Sequence, residues 1–387
     1  MSVVSARARN LVCPPFDLLN QKAAALREAG KPVISLGQAV PGFPPPPAAV
    51  DAAERALGDS DVHRYSSDAG LLSLREALCE SFAQHLQVEA TPDDLILTAG
   101  GNQAFMLAAM AMLDPGDQVV LAAPYFVNHD MAIRATGASP IEAPLAESSG
   151  FVARWTDIEP HLTPRTRAVV LCTPSNPTGA VIPRDELHRI VTELSRRGIT
   201  LLCDETYLHF VYDGPHASAA SIPGWRDNVV VVGTFSKSFA MTGWRVGYLL
   251  ADRRICEEAI KIQDAMIICA PVISQKAVEA AVRSDWNYIT RFHEELRRRR
   301  SVLAAALAQI PAMSWTPAGG GFFAFVRVAN EQGSDRLATA VLEGAHVVTI
   351  PGASFGRSGE GFLRLSYGAV SADDLTEACA RLRRFFT

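Results

Sequence analysis

Short runs of β-branched and aliphatic residues alternate along much of the chain with segments whose apolar positions recur at helical spacing. Leu95-Ile96-Leu97-Thr98, Gln118 to Ala122, Ala168 to Cys172, Thr200 to Cys203 and Val229 to Val232 read as strands. Ala104 to Leu113 and Arg184 to Arg197 read as helices between them. That alternation predicts an α/β fold: a large domain with a mostly parallel mixed sheet flanked by helices. Strands of such a sheet end at the crevice where ligands bind, so the polar residues just beyond them are the first candidates for chemistry.

From about Ser284 the pattern changes. A long charged helix, Trp286 to Ile310, precedes strands at Phe322 to Val328, Val347 to Ile350 and Phe362 to Ser366. Ser371 is placed to cap a closing helix with Asp373 and Asp374 in its first turn. These elements predict a smaller α+β domain over residues 285–387, beside a large domain over 48–284. The stretch 1–47, ending in Pro41-Gly42-Phe43-Pro44-Pro45-Pro46-Pro47, is too proline-rich for a core element and predicts an extended arm that contributes to the small domain.

Composition narrows the function classes. With 36 basic and 41 acidic residues among 387, the formal charge of -5 gives no bias toward nucleic acid or anionic lipid. The run Arg297-Arg298-Arg299-Arg300 spreads round its helix and predicts a solvated face rather than a nucleic-acid patch. The 7 cysteines are scattered, odd in number and without a Cys-x-x-Cys pair, as expected of reduced thiols. No apolar run follows Arg7 and Arg9, and Ala104 to Leu113 falls short of the ~20 residues a membrane span needs. A cytoplasmic protein with neither membrane nor nucleic-acid partners is expected.

The chemistry centres on Lys237, behind Thr234 and Ser236 at the end of the strand Val229 to Val232. A lysine in that setting suits covalent attachment of a carbonyl cofactor beside a phosphate-binding cup. Gly100-Gly101-Asn102-Gln103 opens a helix and supplies backbone N–H groups for a phosphate; no Gly-Lys-Ser/Thr follows, so it is not a nucleotide P-loop. Thr173-Pro174-Ser175-Asn176-Pro177-Thr178-Gly179 and Asp204-Glu205-Thr206-Tyr207 each follow a strand, and Arg364-Leu365-Ser366-Tyr367 lies near the C-terminus.

These segments, in this order and over nearly the whole chain, resemble the class I/II aminotransferases, fold type I enzymes that use pyridoxal 5'-phosphate. The resemblance implies that Lys237 holds the cofactor and moves the substrate Cα proton. It implies that Asp204 faces the pyridine nitrogen, with His129 either supporting it or standing in a solvated loop. Asn176 and Tyr207 would serve the phenolate oxygen, with Asn176–Pro177 a candidate cis peptide. Gly101, Asn102, Gln103, Thr234, Ser236 and Arg245 would hold the phosphate. Phe126 would stack on the ring or belong to the core. Tyr65 would reach the phosphate of a neighbouring subunit, making the active unit a homodimer with sites at the interface; its alternative is a packed surface tyrosine. Arg364 would bind the substrate α-carboxylate, with Asn176 and Ala39 on the substrate side.

The expected reaction is ping-pong transfer of an amino group between an L-amino acid and a 2-oxo acid. The same site would also serve β-elimination, decarboxylation or oxidation, and a sensor domain of a transcription regulator is the non-enzymatic alternative. Ala39-Val40-Pro41-Gly42-Phe43 lacks the polar residues many relatives carry there, and with Leu36-Gly37-Gln38 it looks more like the kynurenine and glutamine aminotransferase branch than the aspartate one. No second arginine for a distal carboxylate is identifiable. A neutral, apolar or aromatic amino acid is therefore expected, with Gly319-Gly320-Gly321 forming a close turn and Phe322 or Phe323 lining the side-chain pocket.

Overall fold

The computed structural model describes residues 3–329 and 332–387; Met1 and Ser2, at the head of the predicted arm, lie outside the described residues, as do Asn330 and Glu331. Its strands in chain order are β1 (Ile34–Ser35), β2 (Leu95–Thr98), β3 (Gln118–Ala123), β4 (Ser139–Pro144), β5 (Thr166–Cys172), β6 (Thr200–Asp204) and β7 (Val229–Thr234). There follow β8 (Gly247–Leu250), β9 (Met313–Ser314), β10 (Phe323–Val328), β11 (Val347–Val348), β12 (Ile350–Pro351) and β13 (Phe362–Ser366).

One sheet has the order β2-β8-β7-β6-β5-β3-β4. From β4 to β7 neighbours are parallel, while β8 runs antiparallel to both β7 and β2. Successive residues of the inner strands alternate between two apolar layers: Leu201, Val229 and Val231 join one, Leu202, Val230 and Val232 the other. Burying one such side chain is worth about 1.5–3 kcal/mol, so strands with no polar interior member demand cover on both faces. The helix Arg184–Arg196 covers the first layer with Leu187, Ile190, Val191 and Leu194. Gly101–Met112 and Arg253–Ile267 cover the second.

Two strands escape the hydrophobic pattern. β4 is an edge strand with Pro140 and Pro144, and only Ala143 in it is buried. β8 is a short fully buried run that continues directly from the Lys237 loop.

The second sheet, β12-β13-β10-β9, is antiparallel. It shares a separate core with the helices Asn287–Leu307, Ser334–Ala345 and Ala372–Phe386, through Leu303, Val341 and Leu375. Ser371 caps the last helix, its hydroxyl accepting the Asp374 N–H at 3.0 Å. The predicted strand Val347 to Ile350 divides at Thr349: β11 pairs with β1 and β12 with β13.

Two expectations are corrected. The arm is not simply extended, because Phe16–Glu28 is a helix whose Leu19 and Ala23 are buried; the prolines lie downstream of it, and Pro47 starts the next helix, Pro47–Ala56. The arginine run is a solvated face only in part. Arg299 is only 7% exposed, and the Arg297 and Arg300 guanidiniums lie over the Tyr212 ring, 6.0 and 5.1 Å from its centre. Arg297 stays exposed despite that contact, and Arg298 is turned to solvent, pairing with Glu295 at 3.8 Å. Four consecutive helical residues point to all sides of the helix, and here the sides of Arg299 and Arg300 are packed against the protein while those of Arg297 and Arg298 remain exposed.

Candidate active site

β2, β3, β5, β6 and β7 point the same way, so their carboxyl ends share one edge of the sheet. At that edge stand the Gly100-Gly101 turn, Phe126, Asn176, Asp204 and the short helix Phe235–Ser238 with Lys237. Because β8 is antiparallel, its start lies at the same edge, and Arg245 comes just before it. These residues, with Arg364 from β13, line a cleft of about 410 Å³. A larger cavity of about 790 Å³ beside Tyr125, Glu142 and Arg357 holds none of them and is not a rival site.

Asp204 is buried, and burial alone would raise its carboxyl pKa. The His129 hydrogen bond and charge, with the Thr206 bonds, outweigh burial and hold it below the ordinary carboxylate value. His129 Nε2 lies 2.9 Å from one carboxylate oxygen, and the Thr206 N–H donates to the other at 2.9 Å. His129 is itself gripped between Phe105, stacked at 4.2 Å, and the edge-on ring of Phe126 at 5.5 Å. The outcome is a fixed carboxylate that stays ionised.

Lys237 donates from Nζ to the Ala39 carbonyl at 2.7 Å. Burial, reinforced by the charges of Arg364 and Arg245 and opposed by Asp204, lowers its amine to about 8. Such a lysine releases its proton far more readily than a surface lysine does.

At the other end of the cleft, Gly100 has φ +90, and a side chain there would start 2.3 Å from Arg245 Nη2. The turn therefore needs glycine to admit the guanidinium. Arg245 donates to the carbonyls of Thr242 at 2.8 Å and Ala99 at 3.2 Å. Thr234 and Ser236 hydroxyls are 2.9 Å apart, and the Thr234 oxygen caps the Ser236 N–H. Two hydroxyls, a guanidinium and the start of the helix Gly101–Met112 thus surround one space suited to a dianion.

Arg364 is 4% exposed. Its Nη1 donates to Asn176 Oδ1 at 2.8 Å and its Nη2 to the Gly37 carbonyl at 2.6 Å, while its buried Nε has no acceptor among the described residues. Burial lowers its pKa to about 10, which leaves it cationic at neutral pH. Since Asn176 spends its carbonyl on Arg364, its amide NH₂ is left as a donor. Tyr207 is buried, which raises its hydroxyl pKa despite Arg364 nearby and keeps it a neutral donor. The Asn176–Pro177 peptide is cis, as are Thr173–Pro174 and Ala123–Pro124.

Comparison with known proteins now bears on this arrangement. The family model "Aminotransferase class I and II" matches residues 31–382. The chain belongs to the class I and II aminotransferases. Similar proteins include the putative aminotransferase YugH of Bacillus subtilis, 34% identical over 91% of both chains, and aromatic-amino-acid aminotransferase 2 of Thermococcus litoralis, 33% identical over 91% of both. Among solved structures, the Thermus thermophilus aspartate aminotransferase with maleate superposes at a TM-score of 0.93, with 31% identity and full coverage of both chains. The protein is an enzyme that transfers amino groups, in a family that uses pyridoxal phosphate.

In this aminotransferase the cleft gathers Gly101, Asn102, Phe126, Asn176, Asp204, Tyr207, Thr234, Ser236, Lys237, Arg245, Arg364 and Ala39. It does not gather Gln103, whose carbonyl turns back to accept the Ala99 N–H at 2.5 Å and brace the glycine turn. Tyr65 also stands apart, 75% exposed on a loop outside the cleft. Phe322 and Phe323 are fully buried behind Tyr207 rather than lining the pocket, their ring centres 5.3 and 4.9 Å from its own. Sequence reading missed Thr206, which orients Asp204, and the trio Phe16, Asp17 and Asn20 of the arm helix. Thr206 sat inside a quoted motif, whereas nothing local marks the arm helix as a cleft wall.

The lowered amine makes a direct prediction for the cofactor-free aminotransferase. Only a neutral amine attacks cyanate, so carbamylation of Lys237 is expected to be half-maximal near pH 8. Free lysine in the same solution should keep gaining rate toward roughly pH 10.4. Peptide mapping across a pH series checks this; a Lys237 profile superposing on that of free lysine would mean that the cleft does not tune it.

Proposed function

We propose that the cleft binds pyridoxal 5'-phosphate and moves an amino group from a neutral, apolar or aromatic L-amino acid to a 2-oxo acid by a ping-pong route. The observation that carries this reading is the meeting, in one cleft, of a proton-releasing lysine, a buried ionised aspartate and a buried arginine with an unpartnered N–H. The polar groups present fit the cofactor: Arg245, Thr234, Ser236 and the Gly101 turn suit its phosphate, Asp204 its ring nitrogen, and Asn176 and Tyr207 its phenolate oxygen. Phe126 is the ring neighbour. Bound there, the cofactor would supply an electron sink for the pair left on the substrate carbon.

The protein's own part follows from its geometry. Arg364, held in place by Asn176 and Gly37, binds the substrate carboxylate and gives Nε its missing acceptor. Lys237 takes the proton from Cα and returns it, a task suited to an amine tuned near 8. Asp204 keeps a negative charge against the ring nitrogen, and Tyr207 and Asn176 donate without introducing charge.

The cations lining the cleft are Lys237, Arg245 and Arg364, each with a role, and the arm helix adds an acid, Asp17. A dicarboxylate side chain would find no spare cation of this chain, which supports the neutral preference. Tyr65, 75% exposed, fits the role of a residue offered to the partner of a homodimer. The unpaired state of all 7 cysteines accords with a cytoplasmic setting, and among the described residues no helix is long and apolar enough to cross a membrane. The arm and residues 285–387 read as one domain against 48–284, on the support of the β1–β11 pairing.

The test is a half-reaction. Loaded enzyme given single amino acids without an acceptor is expected to release one 2-oxo acid per site and stop, with phenylalanine or leucine ahead of aspartate. Continuous ammonia or carbon dioxide release would sink transamination, and aspartate ahead of both would sink the neutral preference. A monomeric loaded enzyme in sedimentation would remove the dimer.

A further inference from the structure

The segment Leu36–Phe43 forms an arch over the cleft. One foot is the Leu36 carbonyl, which accepts the Ser366 N–H at 2.7 Å; near the other foot the Gly42 N–H donates to the Gly368 carbonyl at 2.9 Å. Between them, the Gly37 carbonyl holds Arg364 Nη2 at 2.6 Å and the Ala39 carbonyl holds Lys237 Nζ at 2.7 Å. The arch therefore orients both cationic groups that would meet the substrate. Its far foot is fastened by a residue outside the cleft. Arg299 Nη1 donates to the same Gly368 carbonyl at 2.9 Å and to that of Tyr367 at 3.3 Å, its Nε donates to Glu295 at 2.9 Å, and its guanidinium lies 5.0 Å from the centre of the Phe43 ring. Phe43 in turn stacks on Phe292 at 3.8 Å.

We propose that Arg299 is a positioning residue for the reaction: by tying Phe43 and the Gly368 turn to one helix, it holds the arch whose carbonyls aim Lys237 and Arg364. A buried guanidinium is retained only where its charge and donors are satisfied, and each of the contacts above leads to the arch, to the turn after β13 or to the helix that carries Arg299. The span is short. Arg364 and Ser366 lie on β13, and Gly368 follows at once, so loosening that turn frees the far foot of the arch, on the side of the Ala39 carbonyl away from Leu36, and leaves the segment that holds the lysine and the substrate arginine tied at the Leu36 foot alone. The proposal rests on the reading of Lys237 and Arg364 given above.

Arg299→Met is expected to fold, to speed hydrogen exchange in the peptide spanning Gly37–Phe43 with or without cofactor, and to raise KM for phenylalanine and aspartate alike. The rise should be about tenfold, the cost of roughly one charge-assisted hydrogen bond, with a smaller accompanying fall in kcat as Lys237 loses its fixed carbonyl. Arg299→Lys keeps a cation for Gly368 and for the Phe43 face and should recover most of the exchange protection. Unchanged exchange would overturn the proposal, as would faster exchange with unaltered KM or a fall in kcat alone. Should Arg299→Met not fold, Phe43→Leu, which leaves the hydrogen bonds of Arg299 in place, carries the same test with the same overturning outcomes. Arg364→Ala, run in parallel, separates the two readings: if its defect is confined to one side-chain class, the carboxylate role fails, while the exchange result still decides whether Arg299 pins the arch.

Discussion

Lys237→Ala is expected to leave a folded protein that no longer acquires visible absorbance on addition of pyridoxal phosphate and turns over roughly 10⁴-fold more slowly, the upper end of what losing a general base costs. The chain has only five lysines, Lys22, Lys31, Lys237, Lys261 and Lys276, and Lys237 alone lines the cleft. Among the described residues no other amine is placed to substitute. The fold should survive because the change removes a strained interest rather than a support: burial depresses the amine to about 8, so the ammonium gains little from being where it is. Its one direct bond, to the Ala39 carbonyl, faces the cleft, where water can replace it. Absorbance spectra, with turnover on a neutral amino acid, make the check. A retained visible band would place the attachment on another lysine, and peptide mapping after borohydride reduction would name it.

Asp204→Asn is expected to cost about 10³ in turnover while keeping the shape of the site. A full charge about 4 Å from an opposite one at an effective dielectric near 20 is worth about 4 kcal/mol, and each 1.36 kcal/mol is about a factor of ten in rate. The asparagine preserves volume and an acceptor for the Thr206 N–H, so the loss isolates charge from geometry. The wild-type carboxyl sits below its ordinary pKa, so the sign of the pH effect is fixed. Its charge is complete at neutral pH and is lost only as pH falls through that lowered value, and its contribution to folding follows the same direction. Turnover and cofactor affinity measured together provide the test. A near-normal rate for Asp204→Asn would show that a hydrogen bond, not a charge, is what the ring nitrogen requires. The His129 side chain, clamped by Phe105 and Phe126, should hold its position in the variant.

The residues that were legible in advance share a property: each stands next to the strand that positions it. Asp204 ends β6, Thr234 ends β7, and the Gly100-Gly101 turn follows β2 at once. A short continuous apolar run predicts both the strand and the edge at which its last polar residue emerges, so local pattern was enough. Gln103 shows where adjacency misleads. It belongs to the same motif, yet a helix rotates each successive side chain by about 100°, and its amide turns back on Ala99 instead of into the cleft.

The amino-acid sequence by itself determined the α/β layering, the strand ends that carry the acid and the lysine, and, through motif resemblance, the family. Short-range periodicity and residue chemistry encode all of these. Tertiary structure alone decided what closes the site: Phe16, Asp17 and Asn20 of the arm helix forming its wall, and the Gly37 and Ala39 carbonyls fastening Arg364 and Lys237. It also turned Arg299 inward to hold the arch. The reason is distance along the chain. The Arg364–Asn176 and Lys237–Ala39 bonds join residues 188 and 198 positions apart, and backbone carbonyls carry no side-chain signature that a pattern could reveal.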